Sequence, residues 1–204
     1  TDYYDKWKIT PVLGNRVSGI DVDRKVIRFP NSQELGFDRL LIASGADPRP
    51  IKAKGCELEN IFYMRTKDQM SRLLSALPNC RNALVLGGGL VGFKAAYALL
   101  QRGIDVTMLI TSQYPLSMQV DETSGQILLN ELVKHGLKVE VGQEVVAFHG
   151  KRTVTSAVLS DGSNRPCDIA VIGKGVIPSR NFIPKDRIEV DLGVVVNPYL
   201  ESST

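Results

Sequence analysis

Three glycines at fixed spacing stand where an apolar stretch of the sequence gives way to a helix-forming one. The apolar residues 83–86 run directly into the sequence G-G-G-L-V-G, and a helix-forming segment follows at 93–102. In such a pattern Gly87 allows a tight turn, Gly89 lets the backbone approach a diphosphate, and Gly92 lets a helix pack closely on a sheet. The free N–H groups and the dipole of the first helical turn favour an anion there. The predicted nucleotide-binding residues of this turn are Gly87, Gly88, Gly89, Leu90, Val91 and Gly92.

The elements around this turn predict an α/β fold. Strands and helices alternate from 82 to 141, which favours a parallel sheet with right-handed crossovers, as in Rossmann domains. A helix is predicted to begin at Thr66, whose capping box includes Gln69. Further predictions are strands at 106–110, 138–141 and 169–172, a helix at 121–134, and an antiparallel meander at 144–148 and 151–159. Short strands at 9–13, 17–22 and 25–29 and a continuous apolar strand at 39–43 are predicted before them.

Composition excludes several classes of function. The formal net charge is only +3, and Lys and Arg are scattered, so no nucleic acid partner is expected. No apolar stretch is long enough to cross a bilayer, and no membrane partner is expected. The three cysteines are far apart and odd in number, which is typical of reduced thiols in a cytoplasmic protein. The two histidines lack partners at metal-ligand or catalytic spacing, so no metal site and no acid–base residue is predicted.

Three separated motifs then occur in order. They are FDRLLIASGADPR at 37–49, the glycine turn at 87–92, and CDIAVIGKGVIP at 167–178. Together they resemble the FAD-dependent pyridine nucleotide-disulfide oxidoreductase family, most closely its nitrite reductase, rubredoxin reductase and NADH oxidase-like branch. The resemblance extends over essentially the whole chain.

The resemblance implies a domain organisation and a set of cofactor contacts. An NAD(P)-binding domain at 53–178 would be inserted into an FAD-binding domain, of which 1–52 and 179–204 would be parts. It implies contacts to the flavin nucleotide at Ala43, Ser44 and Gly45, and further cofactor contacts at Gly173, Lys174 and Gly175. The implied activity is hydride transfer from NAD(P)H to FAD and on to an unidentified acceptor.

The same comparison implies that the sequence is a piece of a longer protein. The family's first glycine turn, its later Ala-Gly-Asp motif and its interface domain do not occur in it. We therefore expect FAD to be a cofactor of the full-length parent and this piece to be inactive alone. A redox-active cysteine of the parent would lie outside the sequence.

Two positions depart from the usual pattern. The end of the second Rossmann strand commonly carries an acidic residue for the ribose hydroxyls or an Arg for a 2′-phosphate. Here Thr111 and Ser112 follow Ile110, and their hydroxyls could bond either ribose form; the absence of a cation favours NAD slightly over NADP. Lys94 stands where the family often has Glu near the nicotinamide, and it is expected to pair with a phosphate or a carboxylate or to be solvated.

A second class of function stays open at this stage. A non-catalytic module that holds a dinucleotide or another adenosine ligand would need the same glycine turn. For the oxidoreductase, the expected partners are a small-molecule or small redox-protein electron acceptor and, in a homodimer, a second copy of the chain.

Overall fold

The computed structural model describes residues 2–204, and its central feature is a five-stranded parallel sheet. The helices are α1 (Asp2–Lys6), α2 (Lys67–Ala76), α3 (Leu90–Leu100) and α4 (Glu122–Lys134), with a 3-10 turn at Leu77–Asn79. The strands are β1 (Gly19–Asp21), β2 (Val26–Arg28), β3 (Glu34–Gly36), β4 (Ala46–Pro48), β5 (Ile61–Tyr63), β6 (Asn82–Leu86), β7 (Asp105–Ile110), β8 (Lys138–Val141), β9 (Val145–His149), β10 (Ser156–Leu159), β11 (Asn164–Pro166), β12 (Ile169–Ile172) and β13 (Val176–Pro178).

The sheet has the strand order β5-β12-β6-β7-β8, and every pairing in it is parallel. Its register pairs Ile172 with both Tyr63 and Leu86, and Ile110 with Val141. Because the strands run in the same direction, their carboxyl ends therefore meet at one edge. This confirms the predicted Rossmann-like α/β fold, and it brings the glycine turn and the segments after β7 and β12 to the same edge.

Two hydrophobic layers cover the two faces of this sheet. Side chains such as Val85 and Met108 form one layer with Ala95 and Leu99 of α3. The intervening residues, such as Leu84, pack against an antiparallel sheet of order β11-β10-β9. A strand that is covered on both faces can be apolar throughout, which explains why β6 and β12 are almost continuous apolar runs.

The predicted starts of α2 and α4 are confirmed, whereas α3 spans Leu90–Leu100 and not the predicted 93–102. Thr66 caps α2, because its hydroxyl accepts from the backbone N–H of Gln69 and the Gln69 side chain accepts from the N–H of Thr66. Asp121 caps α4 by accepting from the N–H of Ser124 at 2.8 Å. The hydrogen bonds hold the pKa of Asp121 below its usual value.

The chain divides into two compact units. One is Asp47–Val176, and the other combines the residues up to Ala46 with Ile177–Thr204. The first unit spans residues 47–176, close to the 53–178 predicted for the NAD(P)-binding domain. The domain assignment to 1–52, 53–178 and 179–204 stays a prediction.

The second unit contains the antiparallel sheet β1-β2-β3 and a small core around Ile20, Ile183 and Ile188. Two of its basic residues are ion-paired, since Arg24 lies 2.7 Å and Arg28 3.2 Å from carboxylate oxygens of Glu34. Part of the positive charge of β2 and the turn before it is thus balanced within the chain.

Two predicted strands of this unit are wrong. Residues 39–43 and 9–13 are irregular, and Leu41 is 88% exposed. An apolar run forms a buried strand only where a neighbouring strand supplies hydrogen bonds and another layer covers its side chains. Within residues 2–204, no strand pairs with either segment. Five strands of three residues each were not predicted, because so short a stretch shows no periodicity: β3, β4, β5, β11 and β13.

Candidate functional site

The glycine turn brings three backbone segments into direct contact. Gly87 has φ +107°, and a Cβ on it would lie 2.5 Å from the carbonyl oxygen of Gly173. A Cβ on Gly92 would lie 1.9 Å from the carbonyl oxygen of Gly87, and one on Gly173 would lie 2.8 Å from the Gly92 nitrogen. Glycine at these positions is therefore required for the end of β6, the start of α3 and the end of β12 to pack together.

Gly89 is different, because a Cβ on it would meet nothing within 4 Å. It is the N-cap of α3 with φ −80°, which any residue adopts, and it makes no side-chain cap. The fold of the described chain therefore does not require glycine here. Small size at Gly89 matters only if something outside the chain approaches the backbone.

The start of α3 offers hydrogen-bond donors at this open position. The first N–H groups of a helix have no acceptor within the helix, and here no side chain caps them. Leu90 and Val91 are exposed, whereas Gly92 is buried. Lys94 is also exposed, and within residues 2–204 no ion pair involves it. This end of the helix can accept an anion by main-chain donors and the helix dipole.

The segment after β7 folds back onto the glycine turn. The side chain of Ile110 is completely buried, and its Cγ2 lies 2.6 Å from where a Cβ on Gly88 would be. The N–H of Leu116 donates to the carbonyl of Gly88 at 2.8 Å. Thr111 is exposed, and the half-buried Ser112 donates its hydroxyl to the carbonyl of Tyr114 at 2.7 Å. Both predicted ribose contacts are thus at the same sheet edge as the glycine turn.

The segment after β12 also lies at this edge. Its Lys174 has its ammonium group paired with Glu144 at the start of the meander. Gly175 has φ +86°, and the N–H of Arg49 donates to its carbonyl at 3.0 Å. The predicted residues Gly173, Lys174 and Gly175 are therefore brought to the site, but the charge of Lys174 is balanced within the chain.

A cavity that the sequence analysis missed opens beside this segment. Among its lining residues are Met64 and Arg65 after β5, Val91 of α3, and Gly173. The short strand β5 gave no periodic signal, so the sequence offered no way to place Met64 and Arg65 beside the glycine turn. The cavity extends the candidate site to the carboxyl ends of β12 and β5.

Ala43, Ser44 and Gly45 belong to the other compact unit. All three are exposed, and Gly45 has φ +68°. The Ser44 hydroxyl donates to the carbonyl of Ser179 at 2.6 Å, and the Ser179 N–H donates to the carbonyl of Gly45 at 3.0 Å. The residues predicted to contact the flavin therefore expose mainly backbone atoms. The hydroxyl hydrogen of Ser44 is already donated to the carbonyl of Ser179.

The cysteines and histidines form no reactive centre in the described part of the chain. All three cysteines are free, and burial raises the pKa of Cys80 to about 11 and that of Cys167 to about 12. His135 lies 3.1 Å from Glu131 on the surface. Residues 2–204 contain no group of three side chains that could hold a metal ion, and no helix there could cross a bilayer.

The profile of the family described as pyridine nucleotide-disulphide oxidoreductase matches residues 5–204, and the chain belongs to this family. It is 29% identical over 202 residues to the assimilatory nitrate reductase electron transfer subunit of Bacillus subtilis, covering 99% of this chain and 26% of that protein. It is 26% identical over 202 residues to rubredoxin-NAD(+) reductase of Pseudomonas putida, covering 98% of this chain and 52% of that protein. The predicted family is therefore confirmed.

Solved structures show the same fold. A ferredoxin reductase from Rhodopseudomonas palustris superposes with a TM-score of 0.94 at 23% identity, over 99% of this chain and 50% of that chain. The covalent putidaredoxin reductase–putidaredoxin complex gives a TM-score of 0.93 at 25% identity, over 99% of this chain and 50% of the matched chain. The chain thus spans about half the length of these relatives, and about a quarter of the Bacillus subtilis subunit.

The glycine contacts predict losses of stability of very different size for two substitutions in one turn. Gly92→Ala places a methyl group against the backbone oxygen of Gly87, and we expect it to lower the free energy of unfolding by about 3 kcal/mol or more. Gly89→Ala points into open space and only weakens the N-cap, so its cost should be about 1 kcal/mol or less. Urea denaturation followed by circular dichroism measures both. Equal losses of stability would contradict the packing described for the turn.

The cysteine environments predict selective alkylation. Because the raised pKa keeps Cys80 and Cys167 protonated at pH 8, and burial shields them, iodoacetamide should modify exposed Cys56 at least about 100-fold faster. Mass spectrometry of timed samples gives the three rates. The Cys56→Ser variant should show no fast site, and in denaturant all remaining thiols should react. Rapid modification of Cys167 in the folded protein would contradict its burial.

Proposed function

We propose that this chain is the NAD(P)H-binding part of a flavoprotein oxidoreductase in which NAD(P)H gives hydride to FAD and electrons pass on to an acceptor. The observation that carries the proposal is the main-chain surface at Gly89 and the start of α3. It is open, offers uncapped N–H donors, and lies at the carboxyl edge of a parallel sheet. Dinucleotides bind at this edge in open α/β sheets. Membership of a family named for pyridine nucleotides supports the same choice of ligand.

The strand order suggests how a dinucleotide would lie. Its diphosphate would bind the turn 87–92, and its adenosine ribose would lie at the end of β7, near Thr111 and Ser112. The strands β12 and β5 lie on the other side of β6 from β7. The nicotinamide half would therefore extend over Gly173 and Gly175 toward the cavity beside Met64.

Electrostatic binding in this proposal depends mainly on main-chain donors. Lys174 contributes its backbone, since its ammonium group is paired with Glu144. Lys94 is the exposed cation nearest along the chain to the turn, and we propose that it contributes charge near the dinucleotide. With NADH or NADPH bound, this chain would position and orient the dinucleotide rather than act as a general acid or base.

For FAD, we propose main-chain contacts at Ala43, Ser44 and Gly45. Their exposure and the positive φ of Gly45 fit a cofactor that is reached by the backbone, since the Ser44 hydroxyl already donates to Ser179. Flavin, when bound, supplies the ability to accept hydride. The residues of this chain would hold its nucleotide and leave the redox chemistry to the cofactor.

The acceptor of the whole protein is proposed from its relatives. One relative is named for rubredoxin, and a solved complex joins putidaredoxin reductase to putidaredoxin. Others are a nitrite reductase and a nitrate reductase electron transfer subunit. We therefore propose a small redox protein or a small molecule as the acceptor.

Binding can be tested on the chain itself. Calorimetric titration with NADH and NADPH should show weak binding, and Gly89→Val should abolish it because the larger side chain blocks the diphosphate. Gly19→Val is the matched control, since Gly19 lies in β1 of the other unit and a Cβ there also meets nothing within 4 Å. Unchanged affinity in the Gly89→Val variant would refute the assignment of the turn.

The redox step needs a longer protein that contains this sequence. Purified with its remaining segments, it should show flavin absorbance and oxidise NADH or NADPH in the presence of an artificial electron acceptor. If it binds dinucleotide but shows neither property, the chain is a non-catalytic dinucleotide-binding module.

A further inference from the structure

Lys174 and Glu144 form an ion pair that joins the ends of two strands that are not neighbours. Lys174 follows β12 and Glu144 follows β8, and the Lys174 ammonium group donates to a carboxylate oxygen of Glu144. In the strand order β5-β12-β6-β7-β8, the strands β6 and β7 lie between these two ends. The pair therefore reaches along the carboxyl edge of the sheet, past the strand ends where the dinucleotide is proposed to bind.

The backbone that carries Glu144 is fixed by the meander. Its N–H donates to the Ser160 hydroxyl oxygen at 3.3 Å, and its carbonyl accepts from the Ser160 N–H at 2.8 Å. The Ser160 hydroxyl in turn donates to the side chain of Gln143 at 2.8 Å. The next residue, Val145, is buried in the layer between the meander and the parallel sheet. These contacts hold the Glu144 carboxylate at a defined place on the meander side of the edge.

Lys174 begins beside the glycine turn, so a second acceptor for its charge would lie within its reach. Its backbone nitrogen is 3.3 Å from where a Cβ on Gly87 would be. Lysine carries its charge on a flexible four-carbon stem, and the same ammonium group can be directed to different acceptors. The Glu144 side chain is 56% exposed and that of Lys174 23%. An ion pair that is open to water on one side contributes little free energy, so a phosphate over the turn can compete with the carboxylate.

From this arrangement we infer that Glu144 is a positioning residue that holds the Lys174 ammonium group away from the dinucleotide diphosphate and thereby limits the affinity of the site. The inference rests on the proposed function, and it adds what sets the strength of binding there. In the unaltered chain the diphosphate meets the N–H groups of α3 and only the backbone of Lys174. Limited affinity favours release of the oxidised dinucleotide after hydride transfer, since affinity differences are expressed mostly in the rate of dissociation.

The test measures NADH affinity by fluorescence titration in the unaltered chain, Glu144→Gln, Lys174→Met and the double variant. Glu144→Gln should tighten NADH binding about three- to tenfold, because the released ammonium group can pair with the diphosphate. Lys174→Met should change the affinity less than about twofold, and Glu144→Gln added to it should have no further effect. Glu59→Gln is the matched control and should leave the affinity unchanged. Glu59 is 50% exposed, pairs with Arg152, and precedes β5 at the opposite edge of the sheet.

The double variant separates an effect through Lys174 from direct repulsion. If Glu144 merely repelled the diphosphate, Glu144→Gln would tighten binding equally with and without Lys174, and that result would overturn the inference. The gain in Glu144→Gln should also shrink as the sodium chloride concentration rises, because salt screens a partly exposed ammonium–phosphate pair. Unchanged or weaker NADH binding in Glu144→Gln would overturn the inference while sparing the proposed function. Absence of NADH binding in every variant would remove both.

Discussion

Contact between the backbones of Gly87, Gly92 and Gly173 is the constraint on which the rest of the site depends. Side chains would separate these segments, since added Cβ atoms would fall 1.9 to 2.8 Å from main-chain atoms. With glycine at all three positions, α3 begins directly above the ends of β6 and β12. Its uncapped N–H groups then face outward over the sheet edge, and the dipole of the helix favours an anion at that point.

The register of the parallel sheet explains why distant parts of the sequence meet at this edge. Residues 65, 89, 112 and 174 follow four different strands, yet the strands end together because each is paired in parallel with its neighbour. Packing on both faces stabilises that register. A shift of one residue in β6 would turn Leu84 and Val85 toward the opposite faces of the sheet. Each side chain would then lose the contacts that bury it now.

Charge has a secondary part in this site. Lys174 is paired with Glu144, and the segment after β7 is uncharged. In the proposed function, recognition would thus depend mainly on the N–H groups at the start of α3, which no side chain caps. Burial raises the pKa of the half-buried Cys80 thiol and of the buried Cys167 thiol, which keeps both protonated at neutral pH.

Sequence by itself determined the glycine turn, the parallel α/β fold, the capped start of α2 and the family. These depend on local features, namely glycine spacing, apolar periodicity and capping residues, which act within a few residues of one another. It could not predict that residues 39–43 would be irregular and exposed, because strand formation there depends on neighbours that are distant in the chain. Only the tertiary structure decided that Gly89 is open while Gly92 is enclosed, that Lys174 pairs with Glu144, and that Ser112 donates to Tyr114. The reason is physical: space around a Cβ, the partner of a charge and the direction of a hydroxyl are all set by atoms that other segments bring near.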